Sequence, residues 1–153
     1  MKQLKSIIPI LIGIILIVNL GSFKLSEDTT GYTLKVEVKE LRNSKGVVQF
    51  ALYNKDESIP DENYKKYYLK LTSKIIENSA SVTFDNLPEG KYAINILHDE
   101  NVNGKIDKGL ILPKEGLGFS NFQSIGLSRR PNFEKASFYL SKNMLVVVKV
   151  IYL

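Results

Sequence analysis

The residues of this chain best suited to chemistry lie together in one stretch, HDENVNGKID, from His98 to Asp107. The stretch holds two aspartates, two asparagines, a glutamate and the single histidine of the sequence. Carboxylate and amide oxygens are the ligands that calcium prefers in proteins. They are also the side chains that stabilise polar turns. The stretch therefore indicates either a cation-binding loop or an Asx-rich turn.

The spacing of these residues matches the calcium-loop scheme D-x-[DN]-x-[DN]-G. Asp99, Asn101 and Asn103 fall at ligand positions 1, 3 and 5 of that scheme, and Gly104 falls on the glycine at position 6. Position 7 contributes a backbone carbonyl, and position 9 a side chain or a bound water. The predicted metal site therefore consists of Asp99, Asn101, Asn103, the carbonyl of Lys105, and Asp107. The expected cofactor is a weakly bound calcium ion.

The match to an EF-hand loop is incomplete. Position 12, where an EF-hand has a bidentate glutamate, is Leu110 here. No helical pattern flanks the loop, and Glu100 or Glu115 would have to supply the missing carboxylate. A zinc site is disfavoured because the chain has one histidine and no cysteine. The calcium site and the simple turn both stay open at this point.

A second class of function is a hydrolase in which His98 works with Asp99, Glu100 or Glu115 as acid and base. The sequence contains no G-x-S-x-G motif, and Ser120 lies outside any strand–turn–helix context. No catalytic residue is therefore assigned. A non-enzymatic module is the favoured interpretation.

Short runs of alternating apolar and polar residues surround this stretch, as in half-buried β-strands. About seven strands are expected, at 32–41, 47–54, 67–76, 79–84, 91–97, 135–140 and 145–152. Strands one and two, and strands four and five, are expected to form hairpins. No amphipathic helix of useful length appears. The fold class is therefore all-β, a single Ig-like or transthyretin-like β-sandwich.

The junction between strands four and five carries a more specific pattern, F-x-x-L-P-x-G-x-Y from Phe84 to Tyr92. Pro88 fixes its φ angle and Gly90 can adopt a positive one, so the segment suits a tight turn. Leu87 and Tyr92 are expected to enter the core on either side of the turn. The pattern resembles the corner of transthyretin-like and collagen-adhesin B-type sandwich domains, which implies a fold but no activity.

A long segment with little β pattern follows the polar stretch, from Gly109 to Phe133. Loops longer than about 12–15 residues are uncommon in compact domains. We expect an ordered Ω-type loop packed by its own apolar residues. These residues are Leu112, Leu117, Phe119, Phe122 and Phe133.

The N-terminal segment, residues 1–21, has two lysines followed by an apolar run from Ile7 to Val18. The run is shorter than the roughly 20 residues that a membrane span needs, and it fits a secretory signal peptide. An uncleaved N-terminal anchor is the alternative, and only then would the protein contact a membrane. The β-sandwich domain is assigned to residues 30–153, with a secreted or periplasmic location.

The distribution of charge and of aromatic residues indicates which binding partners to expect. The net charge is +5, but the lysines are scattered, which is typical of a solvated face and not of a nucleic-acid surface. No nucleic-acid partner is therefore expected. The tyrosines at Tyr53, Tyr64, Tyr67 and Tyr68 could form a platform for sugar stacking. The expected partner is an unknown protein or a carbohydrate ligand.

Three segments in order, LPEGKYAINILHDENVNGKID, PKEGLGFSN and PNFEKASF, resemble the signature segments of the domain of unknown function 2141 family of exported bacterial proteins. The resemblance covers most of the chain, from Tyr32 to Leu153. It implies a secreted or periplasmic β-sandwich and no particular activity. One departure is visible, because the segment FQSIGLSRR is bulkier and more basic than the glycine-rich linker typical of the family.

Overall fold

The computed structural model describes residues 31–107, 109, 112–126 and 129–153, and most of their regular structure is β-strand. The proposed signal segment, residues 1–21, lies outside these ranges. The described residues form eight strands and one short helix: β1 Tyr32–Val38, β2 Val47–Tyr53, β3 Leu69–Lys74, β4 Ala80–Leu87, β5 Gly90–Asp99, β6 Gly116–Phe119, α1 Phe133–Ala136, β7 Phe138–Leu140 and β8 Met144–Val148.

The strands form two packed sheets, which confirms the all-β sandwich. The smaller sheet has the strand order β4-β1-β8, in which β1 runs antiparallel to β4 and parallel to β8. The larger sheet has the order β3-β2-β5-β6, and β7 pairs with the first residues of β5. The first and last described strands, β1 and β8, therefore lie side by side in the smaller sheet.

The main core lies between the two sheets and follows from the alternation of β1. Leu34, Val36 and Val38 are fully buried, while Lys35 and Glu37 lie on the opposite face. The larger sheet contributes inward-facing residues from β2 and β5 to the same cluster: Val48, Phe50, Leu52, Tyr92, Ile94 and Ile96.

The outer face of the larger sheet is also covered, and a second apolar cluster fills the space. Ile59 and Tyr64, from the connection between β2 and β3, pack there against Ala51 and Tyr53 of β2. The long segment after the polar stretch covers the rest with Leu117, Phe119, Phe133 and Ala136, and with the half-buried Phe122. This confirms an ordered, packed loop, although Leu112 is 52% exposed and takes no part.

Both predicted hairpins are wrong. β1 and β2 lie in different sheets, and so do β4 and β5. A two-stranded alternation is equally compatible with a hairpin and with a corner that crosses the sandwich. Whether the two strands form a hairpin or a corner depends on whether they pack into the same sheet or into different sheets.

The corner between β4 and β5 otherwise has the expected packing. Leu87 and Tyr92 are buried, at 1% and 3% exposure. The Tyr92 hydroxyl donates to the Pro88 carbonyl at 2.9 Å, as in the tyrosine corner of sandwich domains. The left-handed residue at this corner is Asn86 (φ 56°), and Gly90 does not adopt a positive φ.

Three further details differ from the sequence expectation. The segment 135–140 begins as the last turn of α1, and its strand β7 starts only at Phe138. The Gly116–Phe119 segment forms strand β6, although its alternation is too short to be recognised. The tyrosine platform does not form, because Tyr53 and Tyr64 are buried in the second cluster.

Candidate functional site: the loop from Asp99 to Asp107

The polar stretch forms a loop that leaves the end of β5, where Asp99 is the last strand residue and pairs with Val47. Asp99 is 1% exposed. Its Oδ1 accepts from the Asn103 backbone N–H at 3.1 Å, and its Oδ2 accepts from the Gly104 N–H at 2.7 Å. Gly104 has φ +75°, so the glycine supplies the left-handed conformation that lets the chain close over Asp99.

The other predicted ligands lie together on the exposed side of the loop. The Asn101 and Asn103 amides each donate to one oxygen of the Asp107 carboxylate, at 2.6 and 2.9 Å. Asn101 Oδ1 accepts from the Asn103 N–H that also binds Asp99, and Asn103 Oδ1 accepts from the Lys105 N–H. All four predicted side-chain ligands therefore belong to one hydrogen-bonded cluster.

The buried Glu115, just before β6, holds both ends of the loop. Its carboxylate accepts from the backbone N–H groups of Glu100 and Asp107, both at 3.1 Å. Burial raises the pKa of the Glu115 carboxyl, partly offset by those two N–H donors and reinforced by the charges of Asp99 and Asp107. Glu115 therefore fixes the position of the loop through the loop's backbone N–H groups.

A second side chain below the loop was not identified from the sequence. Gln49 of β2 is 4% exposed and donates through Nε2 to Asp99 Oδ2 at 2.9 Å. Its Oε1 has no hydrogen-bond partner among the described residues. The sequence pattern of β2 does not reveal that Gln49 is buried. The residue is buried because the loop from Asp99 to Asp107 lies over this part of β2.

An ionic cluster flanks the loop on the side of the connection between β1 and β2. Arg42 Nε donates to Glu100 Oε1 at 2.5 Å, and the hydrogen bond from Arg42 lowers the pKa of the Glu100 carboxyl. Arg42 Nη2 donates to the Lys114 carbonyl at 2.9 Å, and the guanidinium lies over the Tyr152 ring, 4.6 Å from its centroid. Arg42 therefore joins three segments that are distant in the sequence.

His98 is fully buried and serves the packing of this end of the sandwich. Its Nε2 donates to the Lys45 carbonyl oxygen at 2.9 Å, since a carbonyl oxygen can only accept. Nδ1 is hydrogen bonded to the Tyr152 hydroxyl at 2.7 Å. Both ring nitrogens are therefore engaged within the protein, and Nδ1 also lies 3.9 Å from Glu100 Oε1.

The donor set of the loop suits a hard cation better than a transition metal. Within the described residues, no three or more His, Cys, Asp and Glu side chains are placed to hold a metal together. The loop presents two carboxylates, Asp99 and Asp107, with two amides between them. Calcium accepts such neutral oxygens together with carboxylates and water.

The fold and the loop define the class of this protein: a β-sandwich with an Asx-rich loop at one end of its larger sheet. A family model described as an uncharacterized protein conserved in bacteria (DUF2141) matches residues 36–147, and the chain belongs to that family. No curated protein and no solved structure matches the chain. Within the described ranges, no helix is long and apolar enough to cross a membrane.

Proposed function

We propose that this protein is an exported, non-enzymatic β-sandwich module with an interaction or structural role, whose loop from Asp99 to Asp107 binds one calcium ion. One observation carries the calcium proposal. Asp99, Asn101, Asn103 and Asp107 form a single cluster, and a left-handed glycine stands at the position that calcium loops require. The support for export is the basic and apolar N-terminal segment.

The carboxylate and amide oxygens of the cluster favour binding of a cation. Asp107 is held between two amides on the exposed side of the loop, while the Asp99 carboxylate lies buried on the inner side. Rotation of each amide about its last side-chain bond would direct two more oxygens toward Asp107. It would also break the hydrogen bonds that the Asn101 and Asn103 oxygens accept from the backbone N–H groups of Asn103 and Lys105, a loss that coordination of the cation has to offset. A cation among these oxygens would be coordinated by Asp99, Asn101, Asn103 and Asp107, with the Lys105 carbonyl and water completing the six to eight oxygens that calcium needs.

The hydrolase alternative has weaker support from this geometry. A general base must reach the proton it removes. The two His98 nitrogens are hydrogen bonded to Lys45 and Tyr152 in a buried position. The Glu115 carboxylate accepts from two backbone N–H groups.

Thermal unfolding with and without calcium tests the proposal. Two charged ligands and no bidentate glutamate give an expected Kd on the order of 10⁻⁴–10⁻³ M, as in extracellular modules. At tenfold excess over Kd, calcium would stabilise the folded protein by about 1.4 kcal/mol. We expect the Tm to rise by a few degrees in about 10 mM calcium relative to a chelator, and by less in magnesium.

The most informative variant is Asp107→Asn. Asp99→Ala would also remove three native hydrogen bonds, so its effect would not separate metal binding from folding. Asp107→Asn removes one charged ligand on the exposed side of the loop, and we expect it to abolish most of the calcium-dependent rise in Tm. Asp56→Asn, an exposed aspartate outside this loop, is the matched control and should keep the full response. A wild-type melting curve unmoved by calcium would show that the loop is only a turn.

A further inference from the structure

A basic cleft lies at the opposite end of the long loop from the calcium candidate. It is an open cleft of about 390 Å³, beside helix α1. Three cationic side chains line it, those of Arg129, Arg130 and Lys135. The rest of its wall includes the polar residues Asn121, Gln123 and Ser124 and the ring of Phe122. A volume of this size lies within the range of small-molecule sites, about 300–1,000 Å³.

The walls of the cleft are tied to the fold. Arg129 Nη1 donates to Ser124 Oγ at 3.0 Å, and the Arg129 backbone N–H donates to the Gly126 carbonyl at 3.0 Å. The Asn121 amide donates to the Ser137 carbonyl at 2.8 Å. At the start of α1, the Asn132 side chain caps the helix by accepting from the backbone N–H of Lys135 at 2.9 Å. These contacts hold the two ends of the segment in place around the cleft.

The three cationic side chains give the cleft a local excess of positive charge. Among the residues that the structure describes, no carboxylate forms an ion pair with Arg129, Arg130 or Lys135. No acidic residue appears among the residues lining the cleft. Like charges that converge on one concave surface repel each other, and a bound anion removes that repulsion.

The two arginines and the lysine of the cleft indicate which kind of anion it would bind. A guanidinium presents its N–H groups as a planar fork that matches the oxygens of carboxylate and phosphate groups, whereas an ammonium acts as a point charge. Two arginines and a lysine suit a doubly charged group with several oxygens better than a single carboxylate. The half-buried Phe122 ring, held edge-on against Phe119 at 6.1 Å between centroids, offers an apolar surface for the remainder of the ligand.

We propose that this cleft binds a phosphate monoester of a small molecule, with the oxyanion between Arg129, Arg130 and Lys135 and the ester group against Phe122. The site is independent of calcium binding by the loop from Asp99 to Asp107.

Nuclear magnetic resonance of the full chain, titrated with inorganic phosphate, sulfate and glucose 6-phosphate, tests the proposal. Sodium chloride at equal ionic strength and unphosphorylated glucose are the controls. We expect saturable shifts of backbone amide signals in 121–124 and 129–135 with all three anions, strongest with the sugar phosphate, and none that saturate with the controls. Binding of free phosphate and sulfate without any gain from the sugar would restrict the site to inorganic anions and overturn the ester proposal.

Variants separate the cleft from general surface charge. Arg130→Gln and Lys135→Gln should each weaken binding about fivefold, the order expected for one exposed ion pair. Lys142→Gln removes an exposed lysine that does not line the cleft and should leave the affinity unchanged. Equal melting temperatures of the variants would show that they fold. Unchanged affinity in the double variant, or shifts reproduced by sodium chloride, would contradict the proposal.

Discussion

At the residue scale, Leu87 shows how a local pattern identifies a core position. The L-P-x-G-x-Y segment places Leu87 and Tyr92 on either side of a turn, and both are buried where β4 passes into β5. Leu87 packs within the main core between the sheets. The Tyr92 hydroxyl, which would otherwise be an unsatisfied buried donor, is satisfied by the Pro88 carbonyl.

We therefore expect Leu87→Ala to lower the free energy of unfolding by about 2–5 kcal/mol, since it removes buried methyl groups and leaves a cavity. Denaturant unfolding measures this cost. Leu145→Ala provides the matched control, because Leu145 lies on β8 and is 53% exposed. Its cost should be well below that of Leu87→Ala, and equal costs would contradict the assigned core.

The ion pair between Arg42 and Glu100 gives a prediction about pH. The Arg42 hydrogen bond lowers the pKa of Glu100 in the folded protein below its ordinary value of 4.5. The stabilisation from this pair is therefore fully present above about pH 4.5, and it is lost as the pH falls through the lowered pKa of the folded state. Arg42 is 42% exposed in its side chain, so solvent screening limits the effect to roughly 1 kcal/mol.

Glu100→Gln should accordingly be less stable than the wild type at pH 7, and the difference should shrink as the pH falls below 4.5 and Glu100 becomes protonated. Urea unfolding at a series of pH values measures it. Glu89→Gln is a suitable control, because Glu89 lies at the other end of β5 and accepts a hydrogen bond from Tyr139 without an ion pair among the described residues. A difference for Glu100→Gln that is independent of pH would contradict the assigned role of its charge.

At the element scale, the short strand β6 joins the two sheets. β6 pairs with β5 in the larger sheet, and its Leu117 exchanges two backbone hydrogen bonds with Ile151, at 2.9 and 2.7 Å. Ile151 follows β8 of the smaller sheet. The chain after β8 therefore reaches across the open side of the sandwich, which explains why the apolar alternation continues past Val148.

Glycine in β6 makes this close approach possible. A Cβ added at Gly118 would lie 2.7 Å from the Lys149 carbonyl oxygen and 3.0 Å from Val148 Cγ1. Gly118→Ala should therefore cost about 1–3 kcal/mol, as in other overpacked interiors, and thermal unfolding will show it as a lower Tm. Gly126→Ala is the control, because a Cβ there meets nothing within 4 Å. If both variants melt at the same temperature, β6 is not tightly covered.

At the scale of the whole molecule, the sequence predicts that residues 1–21 are removed during export. The basic start and the apolar run predict a signal peptide, and these residues lie outside the described part of the structure. Mass spectrometry of the protein from its native cells should show a new N-terminus between about Gly21 and Lys24. Intact Met1 in a soluble cytoplasmic fraction would exclude export, whereas intact Met1 in the membrane fraction would support the anchor.

The strand content, the inward face of β1 and the corner at Leu87 follow from the sequence alone, because each depends on a period of two or on the chemistry of one turn. The spacing of the polar residues also predicted that Asp99, Asn101, Asn103 and Asp107 lie in one loop, and these side chains form one hydrogen-bonded cluster. The presence of a metal among them is a prediction that the calcium titration will test.

The pairing of the strands became visible only in the three-dimensional structure, in which β1 and β2, and β4 and β5, lie in different sheets instead of forming hairpins. The tertiary structure alone brought Gln49, Arg42 and Tyr152 to the polar stretch from His98 to Asp107, over separations of 50 to 58 residues. It also showed that His98 and Glu115 are buried and hydrogen bonded within the protein. The reason is physical: burial and long-range contacts depend on which faces of the sheets are covered, and local alternation carries no information about what covers a face.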